Sequence, residues 1–331
     1  MNFVVHNMLI RVKKDWETLI KNSGIDDIYR SYEFFRICLN YRISSVSNIK
    51  KRNIISKFIV CFENGVPKRI APLIFDNTPQ KSIRLLGHGT NAGTLDFIYD
   101  ANDKEYAAAT YKYIRKKYPE YSLEFYFVPS LSPLCRMMER TEEFNNYDVY
   151  IETYESFFSS LSKSTRQNIR TSYNRLTKDG KEYQLKIYGC CEEGIESIIK
   201  EANMVYQRRR LVWEDSTVEL SPKTIYKIYK RDVVYQTMRK LSSSKIVCLF
   251  IDGQLAAFFM GYEYDNQIRI PRLAIDDAYS RYSPGMILIC EYLKQSPENF
   301  HFDLGRGDES YKSKLNGMVY KTYNLSNKHK V

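Results

Sequence analysis

The sequence predicts an α/β fold made of two copies of one unit, each a mixed, largely antiparallel sheet flanked by helices. Three observations predict it. Residues 57–75 (KFIVCFENGVPKRIAPLIF) and 245–263 (KIVCLFIDGQLAAFFMGYE) read alike: a strand of β-branched and aromatic residues, an Asn-Gly or Asp-Gly turn, and a returning strand. Each hairpin is followed by a helical pattern and a further strand, over 103–128 in the first half and 286–304 in the second. Finally, 331 residues suffice for two domains of ordinary size, so the similarity is read as an internal repeat, with domains at 1–150 and 151–331.

Taken in order, residues 15–21 and 29–39 (YRSYEFFRICL) read as helices, the second with aromatics at helical spacing. Strands are expected at 54–62 and 69–75 around Asn64-Gly65, then at 82–86 and 94–99. Between the last two lies GHGTNAG (87–93), a Gly-rich loop without the Gly-Lys-Ser/Thr ending of a phosphate-binding P-loop. Residues 103–117 read as a helix and 123–128 as a strand. Residues 129–156 read as a mixed, turn-rich joint. The stretch 159–176 (SSLSKSTRQNIRTSYNRL) is a helix in which Ser164 and Gln167 have capping-box spacing. Arg166, Arg170 and Asn174 follow at steps of four, on one face with Lys163; the row suits either phosphate binding or a solvated surface. A helix over 195–210 ends in Arg208, Arg209 and Arg210 ahead of Trp213, and another opens at Ser221-Pro222 and runs to about 241. Strands at 245–251, 255–264 and 268–275 form a meander. A polar loop over 276–283, an apolar helix over 286–293 and strands at 300–304 and 319–325 complete the second half.

Composition narrows the partners. Lys and Arg outnumber Asp and Glu by 50 to 39, a charge of +11 spread along the chain, which favours an anionic partner such as a nucleotide cofactor, a phosphorylated carrier, RNA or a membrane surface. The seven cysteines (Cys38, Cys61, Cys135, Cys190, Cys191, Cys248, Cys290) are odd in number and lack a C-x-x-C, which argues against metal or disulfide roles and for a reducing compartment. His6, His88, His301 and His329 show no ligand spacing, so no metal is expected. Residues 1–10 lack a basic leader and a cleavage site, and no run approaches the ~20 apolar residues that span a bilayer; a cytoplasmic protein is expected.

The stretch with the densest chemistry is 301–312, HFDLGRGDESYK. Gly305 and Gly307 break a strand and admit positive φ, and Asp303, Arg306, Asp308, Glu309, Tyr311 and Lys312 crowd the loop that follows. Such crowding suits proton transfer, and it equally suits a polar loop with two ion pairs.

Together, AIDDAYSRYSPGMILICEYL, FDLGRGDESYK and LSKSTRQNIRTSYNRL resemble the GNAT-fold acyltransferases, within them the CelD-like acetyltransferases associated with bacterial exopolysaccharide synthesis. The likeness covers about 157–323, and the tandem layout is similar to the Fem-type aminoacyltransferases, without their coiled-coil arm. The resemblance implies tandem GNAT-like domains, the first non-catalytic, and transfer from acetyl-CoA or another acyl-CoA to an amine or hydroxyl of a sugar or polysaccharide precursor. It places the donor's pyrophosphate on the turn at 278–286, with Arg281, Tyr282, Ser283, Gly285 and Met286 as contacts. Arg281 is followed by YSPGM, so the superfamily's R/Q-x-x-G-x-G/A run is not present. Asp303 and Asp308 are the expected base or acceptor-orienting groups, Tyr311 the acid for the leaving sulfur, and Arg166, Arg170, Arg306 and Lys312 the grip on an anionic acceptor. Two alternatives stay open: a Fem-type transferase that uses aminoacyl-tRNA, and a non-catalytic module that binds polyanions.

Overall fold

The computed structural model describes residues 1–23, 27–45, 53–99, 104–213, 221, 229–230 and 232–327. It divides into two compact units, 1–145 with 320–331, and 146–319.

The first unit opens with a strand, β1 (Asn2–His6), a 3-10 turn, and the helices α1 (Lys13–Ser23) and α2 (Tyr32–Ser45). Trp16 of α1 and Phe34 and Phe35 of α2 are buried, so the aromatic spacing in the sequence marks core. The hairpin is β2 (Ile54–Glu63) and β3 (Val66–Asp76), and its turn residues Asn64 and Gly65 have φ of 50° and 78°. Both being left-handed matches the tight turn whose twist fits a hairpin. After β4 (Ser82–Leu85), the strand expected over 94–99 shrinks to β5 (Ile98–Tyr99). Then come α3 (Lys104–Lys117), β6 (Ser122–Pro129) and β7 (Glu139–Ile151), whose residues up to Asn145 belong to this unit. The turn-rich reading of 129–156 is thus corrected. β7 hides because its first five residues, ERTEE, are all exposed and carry no apolar alternation. The last strand, Met318–Ser326 (β13 by its place in the chain), pairs with β6 at Tyr323 and Val128, so it extends this sheet and does not close the second. Within the unit the order is β1-β2-β3-β4-β6-β13-β7.

The second unit starts with the end of β7 and a short helix, α4 (Tyr154–Ser160). The capping box lies here, between Thr153 and Ser156, whereas the long helix α5 (Lys163–Lys178) is capped by Ser162. Ser164, read as the cap, already lies inside α5. A strand absent from the sequence reading, β8 (Tyr183–Gly189), leads to α6 (Ile195–Trp213). Of the helix start expected at Ser221-Pro222, Pro222 and the residues after it up to 228 lie outside the described residues, as does the side chain of Trp213; α7 is Val233–Lys240, capped by Asp232. The meander β9 (Ser244–Ile251), β10 (Gln254–Tyr264) and β11 (Gln267–Ile275) follows as expected, with Asp252 and Gly253 at φ 48° and 75°. The loop at 276–283 winds into a 3-10 turn before α8 (Pro284–Leu293), and β12 (Phe300–Arg306) and α9 (Ser310–Lys314) complete the unit.

Its sheet runs β7-β12-β11-β10-β9-β8, antiparallel throughout except for β11 beside β12. One face packs against α5 and α8: Ile169, Leu176, Ile287, Leu288, Phe259, Ile268 and Phe302 share a core. Burying each such side chain contributes about 1.5–3 kcal/mol. α8 is apolar except for Glu291, which takes the Tyr173 hydroxyl of α5, because it lies between that sheet face and α5. On the other face Arg272 of β11 is stacked between Tyr206 of α6 and Tyr235 of α7, and its Nη2 lies 2.7 Å from Asp232 Oδ2. Burial works against that guanidinium's charge; Asp232 and the two tyrosines more than restore it.

Candidate active site

The site lies where β11 and β12 run parallel. They pair over three rungs only, Gln267–His301, Ile268–Phe302 and Arg269–Asp303, and both strands continue beyond the last. β11 keeps its partner β10 as far as Ile275, and β12 keeps β7 as far as Arg306. The register of β11 shifts between Arg269 and Arg272, a bulge that re-aims the strand just past the last shared rung. The facing edges of the two strands are therefore unpaired with each other at their C-terminal ends. Because the strands are parallel, the turn after β11 and the loop after β12 leave from the same end of the sheet.

The turn after β11 carries the five residues expected to meet the donor's phosphates. Ser283 has φ 49° and ψ 54°, a left-handed conformation that costs a non-glycine residue free energy, and it begins α8 without a side-chain cap. Pro284 holds the first helical position and has no N–H to leave orphaned; the N–H groups of Met286 and Ile287 turn back to Ser283 O at 3.0 and 3.3 Å. Gly285 lets the helix start close to the sheet, since a Cβ there would stand 3.2 Å from Ile275 Cγ2. Asp179, at the end of α5, takes the Arg281 Nη2 at 2.8 Å and the Tyr282 hydroxyl at 2.7 Å. That hydrogen bond raises the Tyr282 phenol above its ordinary pKa. Arg175 Nη1 donates to Arg281 O at 2.8 Å, so α5 anchors the whole turn.

The loop after β12 is built around Lys312. Its side chain is buried, and Nζ donates to the carbonyls of Gly305, Arg306 and Gly307 at 3.2, 2.8 and 3.2 Å and pairs with Glu309 at 2.9 Å. Expected to hold an acceptor, Lys312 instead points inward and holds the loop. Gly305 has φ 67°, and a Cβ there would lie 3.2 Å from the Ile270 carbonyl oxygen across the strand mouth. Asp303 is 6% exposed; its Oδ1 accepts the Gly305 N–H at 2.7 Å and its Oδ2 lies 3.7 Å from Arg269 Nε. Asp308 Oδ1 accepts the Tyr147 hydroxyl at 2.9 Å. Tyr311 packs against the core of the unit, and burial, reinforced by the Glu309 carboxylate, pushes its phenol well up, so it stays protonated. Arg306 ends β12 opposite Asn146.

The α5 arginines are engaged locally. Arg166 Nη1 donates to Leu161 O at 2.7 Å and to Ser159 O, closing the end of α4, and Arg170 lies 5.7 Å from the centre of the Phe158 ring. Sequence spacing put them on one face; the structure turns that face toward the α4–α5 corner.

One pair escaped the sequence reading. His301 Nδ1 lies 2.7 Å from Asp148 Oδ2. The two residues are far apart in sequence, and no local spacing signals their contact. Among the described residues no cluster of His, Cys, Asp or Glu is arranged to hold a metal, and no helix is long and apolar enough to cross a membrane.

Residues 163–313 match the family model of the acetyltransferase (GNAT) domain. The chain matches no curated protein sequence. Among solved structures it is similar to FemX, at 10% identity over 98% of this chain and 97% of that one, with a TM-score of 0.58. L-PGS from Bacillus licheniformis is similar at 11% identity over 96% and 92%, with a TM-score of 0.53. A tandem GNAT protein from the clavulanic acid biosynthesis pathway is similar at 9% identity over 98% and 97%, with a TM-score of 0.51. The fold is thus the α/β fold of the GNAT type, shared nearly end to end with a tandem GNAT protein, and residues 163–313 are the part that matches the acetyltransferase (GNAT) domain model.

Proposed function

We propose that the protein is an acyltransferase that moves an acetyl group from acetyl-CoA to an amine or hydroxyl of a sugar or cell-envelope polysaccharide precursor, as in the CelD-like branch. The observation that carries this reading is the strand pair that stops pairing at Arg269 and Asp303 with both following loops at the same end. An extended ligand such as a pantetheine arm can add to unpaired strand edges through its amides, as a peptide adds to a sheet. The α8 N-terminus, behind the left-handed Ser283, offers the Gly285 N–H and a helix dipole to a pyrophosphate. Arg281, Tyr282, Gly285 and Met286 line that turn, with Arg281 exchanging Asp179 for phosphate when the donor arrives.

For the chemistry, the acceptor's lone pair attacks the thioester carbonyl and the thiolate leaves. Tyr311 is the proposed proton donor to the leaving sulfur, and Asp308, tied to Tyr147, orients the acceptor. Asp303 shapes the mouth through Gly305 and Arg269, and Arg306, Arg166 and Arg170 supply positive potential for a phosphate-linked acceptor. A second reading, an aminoacyl-tRNA-dependent transferase, is favoured by the near-complete overlap with FemX.

Incubation of the purified chain with radiolabelled acetyl-CoA, and separately with charged tRNA, decides between them. Retention of acetyl-CoA, with thermal stabilisation by CoA, is the expected result; about 2.7 kcal/mol is gained at a hundred times the Kd. Retention of charged tRNA alone would replace the first reading with the second.

A further inference from the structure

Acyl transfer to an amine or hydroxyl requires a group to take the acceptor's proton. Asp303 is poorly placed for this, because one oxygen receives the Gly305 N–H and the other faces Arg269. The hydrogen bond and the nearby guanidinium charge both favour the carboxylate form and so weaken it as a base. His301 precedes it by two residues on the same strand. Along β12, Phe300, Phe302 and Leu304 enter the core, so His301 and Asp303 share the opposite face. On β7, Val149 and Ile151 enter the same core, so Asp148 and Tyr150 share that face; Tyr150 stands opposite His301 and Asp148 opposite Asp303.

The result is a row across three strands: Arg269, Asp303, Asp148, His301. Directly opposed carboxylates repel. Here Arg269 answers one and His301 the other, at 3.7 and 2.7 Å. The imidazole is the member with an unspent site. Nδ1 faces the Asp148 carboxylate, which can only accept, so the neutral tautomer that this contact favours carries its proton on Nδ1 and its lone pair on Nε2. The side chain is 45% exposed, with the Tyr150 ring beside it at 5.1 Å. The Tyr150 hydroxyl is engaged by Asn299 at 2.6 Å and does not compete for the imidazole. Two strand residues cover about 6.6 Å, so His301 stands that far from the rung where the mouth opens.

We infer that His301, oriented by Asp148, is the general base of the transfer; this rests on the acyl-transfer reading above. As the acceptor oxygen or nitrogen forms its bond to the thioester carbonyl carbon, its proton passes to His301 Nε2. The carbon–sulfur bond breaks, the electron pair leaves on sulfur, and Asp148 balances the imidazolium until the proton passes to solvent. Asp148 and Tyr150 on β7, Asp303 on β12 and Arg269 on β11 are the charged and titratable groups beside it on that face; farther along β11 the same face carries Arg272 with Asp232, Tyr206 and Tyr235.

The test uses the full chain, CoA and acetyl-CoA. Diethyl pyrocarbonate labels exposed imidazoles, and peptide mass spectrometry reads His301 with and without saturating CoA. Thiol release from acetyl-CoA, with hydroxylamine as acceptor, is followed from pH 5.5 to 9. CoA should shield His301 from labelling. His301→Gln should lower release about a hundredfold and remove the acid limb of the profile while leaving the CoA midpoint unchanged. Asp148→Asn should lower it less and move that limb. Loss of stability and CoA affinity together, with the pH profile intact, would make the pair structural and overturn the assignment. If CoA stabilises the protein yet leaves His301 unshielded and His301→Gln releases thiol at the wild-type rate, the base assignment falls and the acyl-transfer reading stands. If CoA neither binds nor shields, both fall.

Discussion

The two units repeat one plan and differ at the same place in it. Each has a hairpin with a left-handed Asn-Gly or Asp-Gly turn, followed by a strand that pairs in parallel with the strand after the next helix. In the first unit that parallel pair is β4 with β6, and Arg84 bridges to Glu124 through Nε and Nη2 at 3.1 and 3.0 Å. β4 ends at Leu85, and the chain then turns through the Gly-rich loop, where Thr90 N–H returns to Gly87 O. In the second unit β11 runs on to Ile275, Arg269 and Asp303 stand 3.7 Å apart, and a helix N-terminus follows. A short strand with a two-point ion pair closes the first mouth. A long strand with a bulge leaves the second open. The two copies of the fold thus differ in how far one strand outlasts its pairing.

The contrast can be broken most severely at Lys312. Lys312→Met removes a buried cation from three carbonyls, and should cost about 3 kcal/mol in urea unfolding and abolish acyl transfer together. Tyr311→Phe should separate the two effects: turnover falls about thirtyfold with the unfolding midpoint kept, while Asp308→Asn lowers turnover less, both read by thiol release. Wild-type turnover in Tyr311→Phe would remove the acid from the site. Arg84→Ala should open the first mouth for about 1 kcal/mol of stability, with turnover unchanged. A large fall in turnover would make the first unit part of the chemistry.

The smallest effect is in pH dependence. The Arg239 hydrogen bond, aided by the Tyr229 hydroxyl, holds Glu196 below its ordinary value near 4.5 and ties α6 to α7. A carboxyl depressed in the folded state adds stability above its unfolded pKa and loses it as pH falls through the folded value. Glu196→Gln should therefore flatten the acid side of the stability curve below about pH 5 and leave neutral pH nearly unaltered.

The hairpins were legible because their signal is local: alternation of period two, with residues at the turn that tolerate positive φ. The same holds for α8, whose Pro-Gly start and apolar run are written in ten consecutive letters. β7 was not legible, since its exposed polar start needs no alternation when Tyr147, Val149 and Ile151, all near its end, meet the core. The stretch 301–312 was picked out by its composition, but composition cannot say which way a side chain points. Lys312 and Arg166 read as free cations in sequence; both are spent on backbone carbonyls.

By itself, then, the sequence determined the repeated α/β plan, the two loops of the candidate site and their order along the chain. Each of these follows from neighbours a few residues apart. Tertiary structure alone decided that β11 and β12 stop pairing at Arg269 and Asp303, that Asp148 reaches His301, and that Lys312 turns inward. Those outcomes depend on strand register between distant segments, and register is set by which side chains fill one shared core, a property no single stretch of sequence contains.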